Sequence, residues 1–536
     1  MKLRYPNSIT VYHENGNTVT PTAAGTFADV SVSIADTHTQ ALRVSLKAEQ
    51  TPVCYIRLYW AFSACEKREE TVRVYGDVWE RGYGDLEWRG IVPERIMPWV
   101  CAVSNGTDRH QATEGRRTEC FGVKTQPAAM CFWQYDTSGL QLWLDVRCGG
   151  NGVILGGRDL TVCDIVFAEY ADTTAFLALR RFYRTLCDKP LTPGHKVYGA
   201  NNWYYAYGRT SETDIQRDTE LLTSLCKGND TAPYMVLDDG WEKNGCDAPW
   251  TELKSGKFHD MCTTANNIRT LGARPGIWVR PLSDRQYEVF GRDAANRLLR
   301  DPEYLDPSHP DTLRFVSETI SMLCDWGYEL IKHDFTTYDA IGYWGFERKE
   351  ALAAKGWQFW NRSKTTAEIL LDLYRTIYTA TRGRALILGC NTVGHLAAGL
   401  VHINRTGDDT SGVDWERVRK YGVNTLAFRL LHHGAFYESD ADCVGITDRI
   451  DWQLNREWLT AVASSGTPLF VSADPTQTGE EEKAALKTAY RINSVQTDTL
   501  IPLDWMENTC PEEWLHNGKA IRFNWYPTAG TDTFRP

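Results

Sequence analysis

The chain of 536 residues carries 58 Lys and Arg against 69 Asp and Glu, a formal charge of −11. With no Lys/Arg-rich run or basic stripe, it lacks the surface that a nucleic-acid phosphate backbone demands, and with no run of 18 apolar residues it offers no membrane span. Its length exceeds what one hydrophobic core serves, so two or three domains are expected.

In chain order, residues 1–17 lack the apolar stretch of a signal peptide. The 15 Cys are scattered singly, with no C-x-x-C pair or zinc-finger spacing. Together these point to reduced thiols in a cytoplasm. Residues 1–180 read as a β-sandwich domain: alternating runs at 41–47, 53–60, 71–78, 129–135 and 141–146 are separated by turn-rich segments. A helical pattern over 173–186 serves as connector.

From 190 to 478 short apolar strands alternate with amphipathic helices, the pattern of a (β/α)₈ barrel in an α/β fold. Strands are expected to begin near Val197, Tyr234, Arg274, Glu329, Ala385, Leu400, Thr425 and Thr467. Helices are expected over 211–225, opened by a Ser211…Asp214 capping box, and over 311–324, 367–381 and 455–464. Residues 479–536 begin with a helix and end in strands, a small C-terminal β-containing region.

A barrel builds its site at the C-terminal ends of its strands. The fourth strand ends Ile331-Lys332-His333-Asp334. Alternation puts Lys332 and Asp334 on one face, where the ammonium favours an ionised carboxylate able to attack an anomeric carbon. A structural ion pair at the barrel mouth fits the same pattern. After the sixth strand comes Arg405-Thr406-Gly407-Asp408-Asp409-Thr410. There, like-charge repulsion suits one acid to proton donation, while the other is free to cap a short helix over 413–420. The second strand ends Asp238-Asp239-Gly240-Trp241, acceptors for sugar hydroxyls beside an indole, although Asp-Asp-Gly is also a good turn. The first ends Asn201-Asn202-Trp203-Tyr204, similarly rich in hydroxyl-binding amides and rings. The 20 Trp and 25 Tyr supply rings suited to stacking on sugars as well as to packing. His432-His433 lack partners at metal spacing.

In this order the motifs resemble clan D glycoside hydrolases, the clan of the α-galactosidases of families 27 and 36. Residues 198–208 resemble the first strand of that clan. Asp238 and Asp239 are similar to the acids that hold the galactose 4- and 6-hydroxyls. Lys332 and Asp334 resemble its Lys-x-Asp, in which the Asp is the nucleophile and the Lys contacts substrate. In the acid/base segment, families 36 and 31 point to Asp408. Family 27, which spaces an Arg four residues before its acid, points to Asp409 and brings in Arg405. Residues 438–443, with Asp442, and 458–474 are similar to the seventh and eighth strands of family 27. The third strand lacks the acid after Pro281 common in family 36. The fifth ends Cys390-Asn391-Thr392 in place of the family motifs that contact the sugar 2-position.

The resemblance implies a retaining exo-α-galactosidase acting by double displacement on an oligosaccharide or glycoconjugate. Asp334 would be its nucleophile, and Asp408 or Asp409 its acid/base. Trp203, Asp238, Asp239, Trp241, Lys332, Asn391, Arg405 and Asp442 would hold the sugar. No metal or organic cofactor is implied; clan members often form homo-oligomers, though nothing in the chain identifies an interface. Galactosyl transfer of the raffinose-synthase type, α-N-acetylgalactosaminidase activity and non-catalytic sugar binding are the alternatives.

Overall fold

The structure is a computed structural model that describes residues 5–14, 18–19, 26–27, 29–38, 41–62, 72–109, 113–243, 249–283, 304–348, 356–495 and 500–526. Its N-terminal part is a sandwich of two antiparallel sheets, of six and eight strands. Leu42–Ala48 shows how they form, since every second side chain is buried along a pleated strand. Rings from opposite sheets fill the space between: Trp60 meets Phe167 edge-on at 5.6 Å, and Phe121 lies 6.1 Å from Trp133. The apolar runs expected as strands are strands. Further strands join them, among them Ser8–His13, Val30–Asp36, Val100–Ser104, Arg117–Val123 and the 13-residue Asp159–Ala171. Helix Ala175–Leu186 follows, its first turn held by Asp108, whose carboxylate accepts the N–H groups of Ala175 at 2.8 Å and Phe176 at 2.9 Å.

The barrel strands are Tyr198–Asn201, Tyr234–Leu237, Arg274–Val279, Leu330–His333, Leu386–Gly389, Ile403–Arg405, Glu438–Asp440 with Cys443–Ile446, and Leu469–Ala473. All pair in parallel. The seventh stave is broken: Glu438–Asp440 pairs with the sixth strand, and Cys443–Ile446 pairs with the eighth. Two residues separate the halves, so the ring closes through the break, where Asp442 takes a left-handed φ of 70°. The capping box at Ser211 and Asp214 is present, and Thr365 with Glu368 makes another.

Two expectations fail here. The strand expected near Thr425 is helix, Thr425–Arg429, continuing a π-helical turn over Val418–Asn424. A short apolar run such as Leu426-Ala427-Phe428 does not distinguish buried helix from buried strand. The true seventh strand starts at Glu438. The helix expected over 413–420 is present, starting at Trp415 and running on through the π-helical turn, but the acid that caps it is Asp414, leaving Asp408 and Asp409 both free of capping.

Helix Glu480–Val495 packs against the barrel, with the Tyr490 hydroxyl donating to the Gly199 carbonyl at 3.0 Å. A three-stranded antiparallel sheet ends the described chain. Among the described residues no helix is long and apolar enough to cross a membrane.

Sandwich and barrel interlock through the turn after Arg73–Gly76. The Gly82 N–H donates to the Thr406 carbonyl at 2.8 Å, and the Asp408 N–H donates to the Gly82 carbonyl at 2.9 Å. A side chain on Gly82 would lie 2.8 Å from Thr425 Cγ2, and one on Gly407 2.2 Å from the Tyr421 carbonyl oxygen. Neither position has room for a side chain, and glycine meets both requirements.

On the fourth strand Lys332 and Asp334 face inward, and His333 lies fully buried toward Tyr374, its ring centre 6.3 Å from the phenol. Neither His333 ring nitrogen has a hydrogen-bond partner, and burial pushes the imidazole down to about 4. The folded chain therefore resists a proton that the unfolded chain takes up near pH 6.5. The stability of the wild type should fall, relative to His333→Leu, as pH drops from about 6.5 toward 4, by about 1.4 kcal/mol per pH unit. Urea unfolding of both proteins across that range measures the difference; a gap independent of pH rules this account out.

Candidate active site

The ends of the first seven strands and one sandwich turn converge at the barrel mouth. Asn201 and Asn202, read as amides for sugar hydroxyls, are spent on the second strand. Asn201 Nδ2 donates to Asp238 Oδ2 at 2.5 Å, and Asn202 Oδ1 accepts the Asp238 N–H at 2.8 Å. Trp203 remains half-buried, edge-on to Tyr207.

The Lys332 ammonium pairs with Asp238 at 2.6 Å, not directly with Asp334; Asp334 adds a weaker attraction. Asp239 sits beside Glu242, and burial, the Glu242 hydrogen bond and the Asp238 and Asp334 charges push its carboxyl up to about 8. The turn that presents these acids needs Gly240, at φ 107°, because a Cβ there would stand 2.6 Å from Gly208 Cα.

Asp334 Oδ1 accepts the Phe335 N–H at 2.8 Å, and its Oδ2 accepts the Trp278 indole N–H at 3.3 Å. Phe335, at φ 59°, turns the chain into helix Thr336–Ile341. Arg280, also at the end of the third strand, is bidentate to Asp339, at 2.9 and 2.7 Å.

At the sixth strand the adjacent acids part company. Arg405 pairs with Asp409 at 2.9 Å and with Asp442 at 2.6 Å. Burial favours a proton on Asp409, but Arg405, Arg81 and Lys332 overcome it and hold Asp409 below the usual carboxylate range. Asp408 goes the other way: burial lifts it above that range, Asp409 adds to the lift, and Arg81 and Arg417 oppose it. Arg81 comes from the sandwich turn, with Nη2 2.7 Å from Asp408 Oδ1 and Nη1 3.8 Å from Cys390 Sγ. Burial works against the Arg81 charge, which Tyr83, Asp408, Cys390 and Asp334 sustain.

Four residues expected on the sugar lie behind the site. Trp241 is fully buried between Trp250 and Trp326, its N–H on the Trp278 carbonyl at 3.1 Å, so its ring is core and offers no stacking face. Asn391 is also fully buried. Its Nδ2 donates to Glu80 at 3.0 Å, and its Oδ1 accepts the Tyr338 N–H at 2.9 Å. Arg405 and Asp442, 1% and 3% exposed, are committed to each other and to Asp409, Thr410 and Tyr204. Arg81 went unnoticed in the sequence, and Trp278 and Cys390, within the third and fifth strand segments, were given no role. The Gly82 and Gly84 beside Arg81 were the available sign of a close backbone approach. Among the described residues no three His, Cys, Asp or Glu side chains converge as a metal site. His432 is engaged by Asp77 at 2.8 Å and by Arg429 at 3.3 Å.

No protein-family model matches the chain, and no curated relative does. Solved structures match over nearly its whole length. An α-galactosidase of Thermus thermophilus in complex with p-nitrophenyl α-D-galactopyranoside aligns at TM-score 0.58 and 16% identity, over 96% of this chain and 98% of that one. A variant of the family 36 α-galactosidase of Geobacillus stearothermophilus, in complex with 1-deoxygalactonojirimycin, aligns at 0.58 and 14%, over 96% and 79%. The fold is that of the family 36 α-galactosidases. The galactosidase domain of an α-galactosidase–sucrose kinase repeats it at 0.57 and 15%, over 91% and 76%. What the chain shares with family 36 at such identity is architecture, a β-sandwich ahead of a barrel.

Removing one member of a buried ion pair typically costs about 3–5 kcal/mol. Arg405→Met, which strands Asp442 and Asp409 together, should lose that much, read as a lowered thermal midpoint. Arg405→Lys should recover only part, because an ammonium cannot span two carboxylates as a guanidinium does. A melting temperature unchanged in Arg405→Met would show that the cluster carries no such strain.

Proposed function

We propose that this chain is a retaining exo-α-galactosidase. One observation carries the reading: Asp334, held by two N–H donors, and Asp408, lifted by burial, share the mouth of a barrel with the family 36 fold. Asp334 accepts two N–H donors, which suits a carboxylate that attacks the anomeric carbon. Asp408 is lifted by burial and fits the donor of a proton to the departing oxygen. Asp409, held ionised by Arg405, does not.

Double displacement then follows from the chemistry of the groups. The Asp334 carboxylate forms a bond to the anomeric carbon as the glycosidic bond breaks, and Asp408 gives its proton to the leaving oxygen. Asp408, now a carboxylate, takes a proton from water; the hydroxide attacks the glycosyl ester, and Asp334 leaves as carboxylate. Galactose departs with its configuration retained. Asp238, bridged to Lys332, supplies acceptors for ring hydroxyls, and Asp239, carrying a proton near neutrality, supplies a donor as well. Trp203 offers a ring face. The galactosides and the iminosugar named for the Thermus and Geobacillus structures point to the same sugar.

Asp334→Ala should abolish release of 4-nitrophenol from the α-galactoside, and added azide should restore it as β-galactosyl azide. Asp408→Asn should slow oligosaccharide cleavage by roughly 10²–10⁴. It should slow the nitrophenyl substrate far less, because that leaving group departs without a proton. Full activity of Asp334→Ala, or binding of galactose with no α-glycoside cleaved by the wild type, overturns the reading.

A further inference from the structure

The sandwich holds Asp408 by backbone and side chain together. Its amide N–H donates to the Gly82 carbonyl, and its carboxylate takes the Arg81 guanidinium at 2.7 Å. Arg81 is 5% exposed and wedged against two rings, its guanidinium carbon 5.3 Å from the centre of Trp344 and 5.8 Å from that of Tyr83. The remaining charged groups around the pair come from three other elements. Arg417, on the turn after the sixth strand, is 3.6 Å from Asp408 but exposed enough for solvent to weaken it. Asp409 is adjacent, 4.0 Å from Arg81 Nη1. From the fourth strand Asp334 acts on the same guanidinium, as does the Cys390 thiol beyond the fifth.

We infer that Arg81 is a positioning residue for Asp408, carried by the sandwich into the barrel mouth to orient that carboxyl group and balance its charge. The inference rests on Asp408 being the acid/base. A group that gives up a proton in one step and reclaims one in the next works best when neither form is strongly preferred. Burial and Asp409 both favour the protonated form, and a fixed cation at hydrogen-bond distance restores the balance. Because Arg81 is nearly shut off from solvent, its leverage comes from outside the barrel without taking space from the sugar.

The test uses the full chain as wild type, Arg81→Met and Arg81→Lys, each also carrying Asp408→Asn for reference. The carboxylic-acid C=O stretch lost in each Asp408→Asn difference infrared spectrum, followed across pH, reads the titration of Asp408 without any substrate. Its midpoint should rise by about one pH unit or more in Arg81→Met and stay near wild type in Arg81→Lys. The basic limb of kcat/KM for an oligosaccharide whose leaving group needs the proton, such as stachyose, should move upward by the same interval. Should Arg81→Met not fold, Arg81→Gln serves in its place. An unmoved infrared midpoint in a folded charge-free variant overturns the inference. A moved midpoint in a protein whose wild type cleaves no galactoside upholds the coupling and removes the activity assigned above.

Discussion

A carboxylate and a guanidinium that surrender all contact with water need hydrogen bonds within the protein to replace those they lose. Glu80 and Arg348 make that demand where sandwich meets barrel, 3.5 Å apart with neither side chain exposed. Glu80 answers it with the Gly345 N–H at 2.8 Å, the Asn391 amide and the Tyr83 hydroxyl. Those partners belong to the loops after the fourth and fifth strands and to the sandwich turn itself. Satisfying one buried carboxylate thus fixes the relative placement of three loops, and Arg81, the next residue, inherits its position from that arrangement.

The same electrostatic solution appears twice around the mouth. In Asp238-Asp239 and in Asp408-Asp409, one member is matched to a buried cation, Lys332 or Arg405, while its neighbour is lifted by burial and by nearby negative charge. Adjacent carboxylates in a low-dielectric cleft resist ionising together. Matching the two unequally separates their behaviour, and such separation marks an acid from a base in many enzymes. The sequence displays both doublets and says nothing of which member receives the cation, because that depends on strands 94 residues apart for Lys332 and Asp238.

What could be read in the chain was local. Period-two alternation on the fourth strand placed Lys332 and Asp334 on one face, and the Ser211 capping box marked a helix start; both are short-range rules that the fold obeys. Trp241 was misjudged because proximity to two acids along the chain says nothing of direction after the left-handed turn at Gly240. The helix at Thr425 was misjudged because its apolar run has no period long enough to decide. Arg81 carried no local mark of function, since its partner Asp408 stands more than three hundred positions further on and the turn between them in space is defined by other residues.

That long separation has a bearing on biogenesis. A chain emerging from the ribosome folds its leading units first, so the sandwich can form while its Glu80–Arg81 turn still lacks every barrel partner. The turn is left presenting two charges, Glu80 until the loops after the fourth and fifth strands bring its partners, and Arg81 until Asp408 arrives with the sixth. During that interval the half-made protein exposes unpaired charge beside an open backbone edge, and docking of the Thr406–Asp408 segment completes its cover.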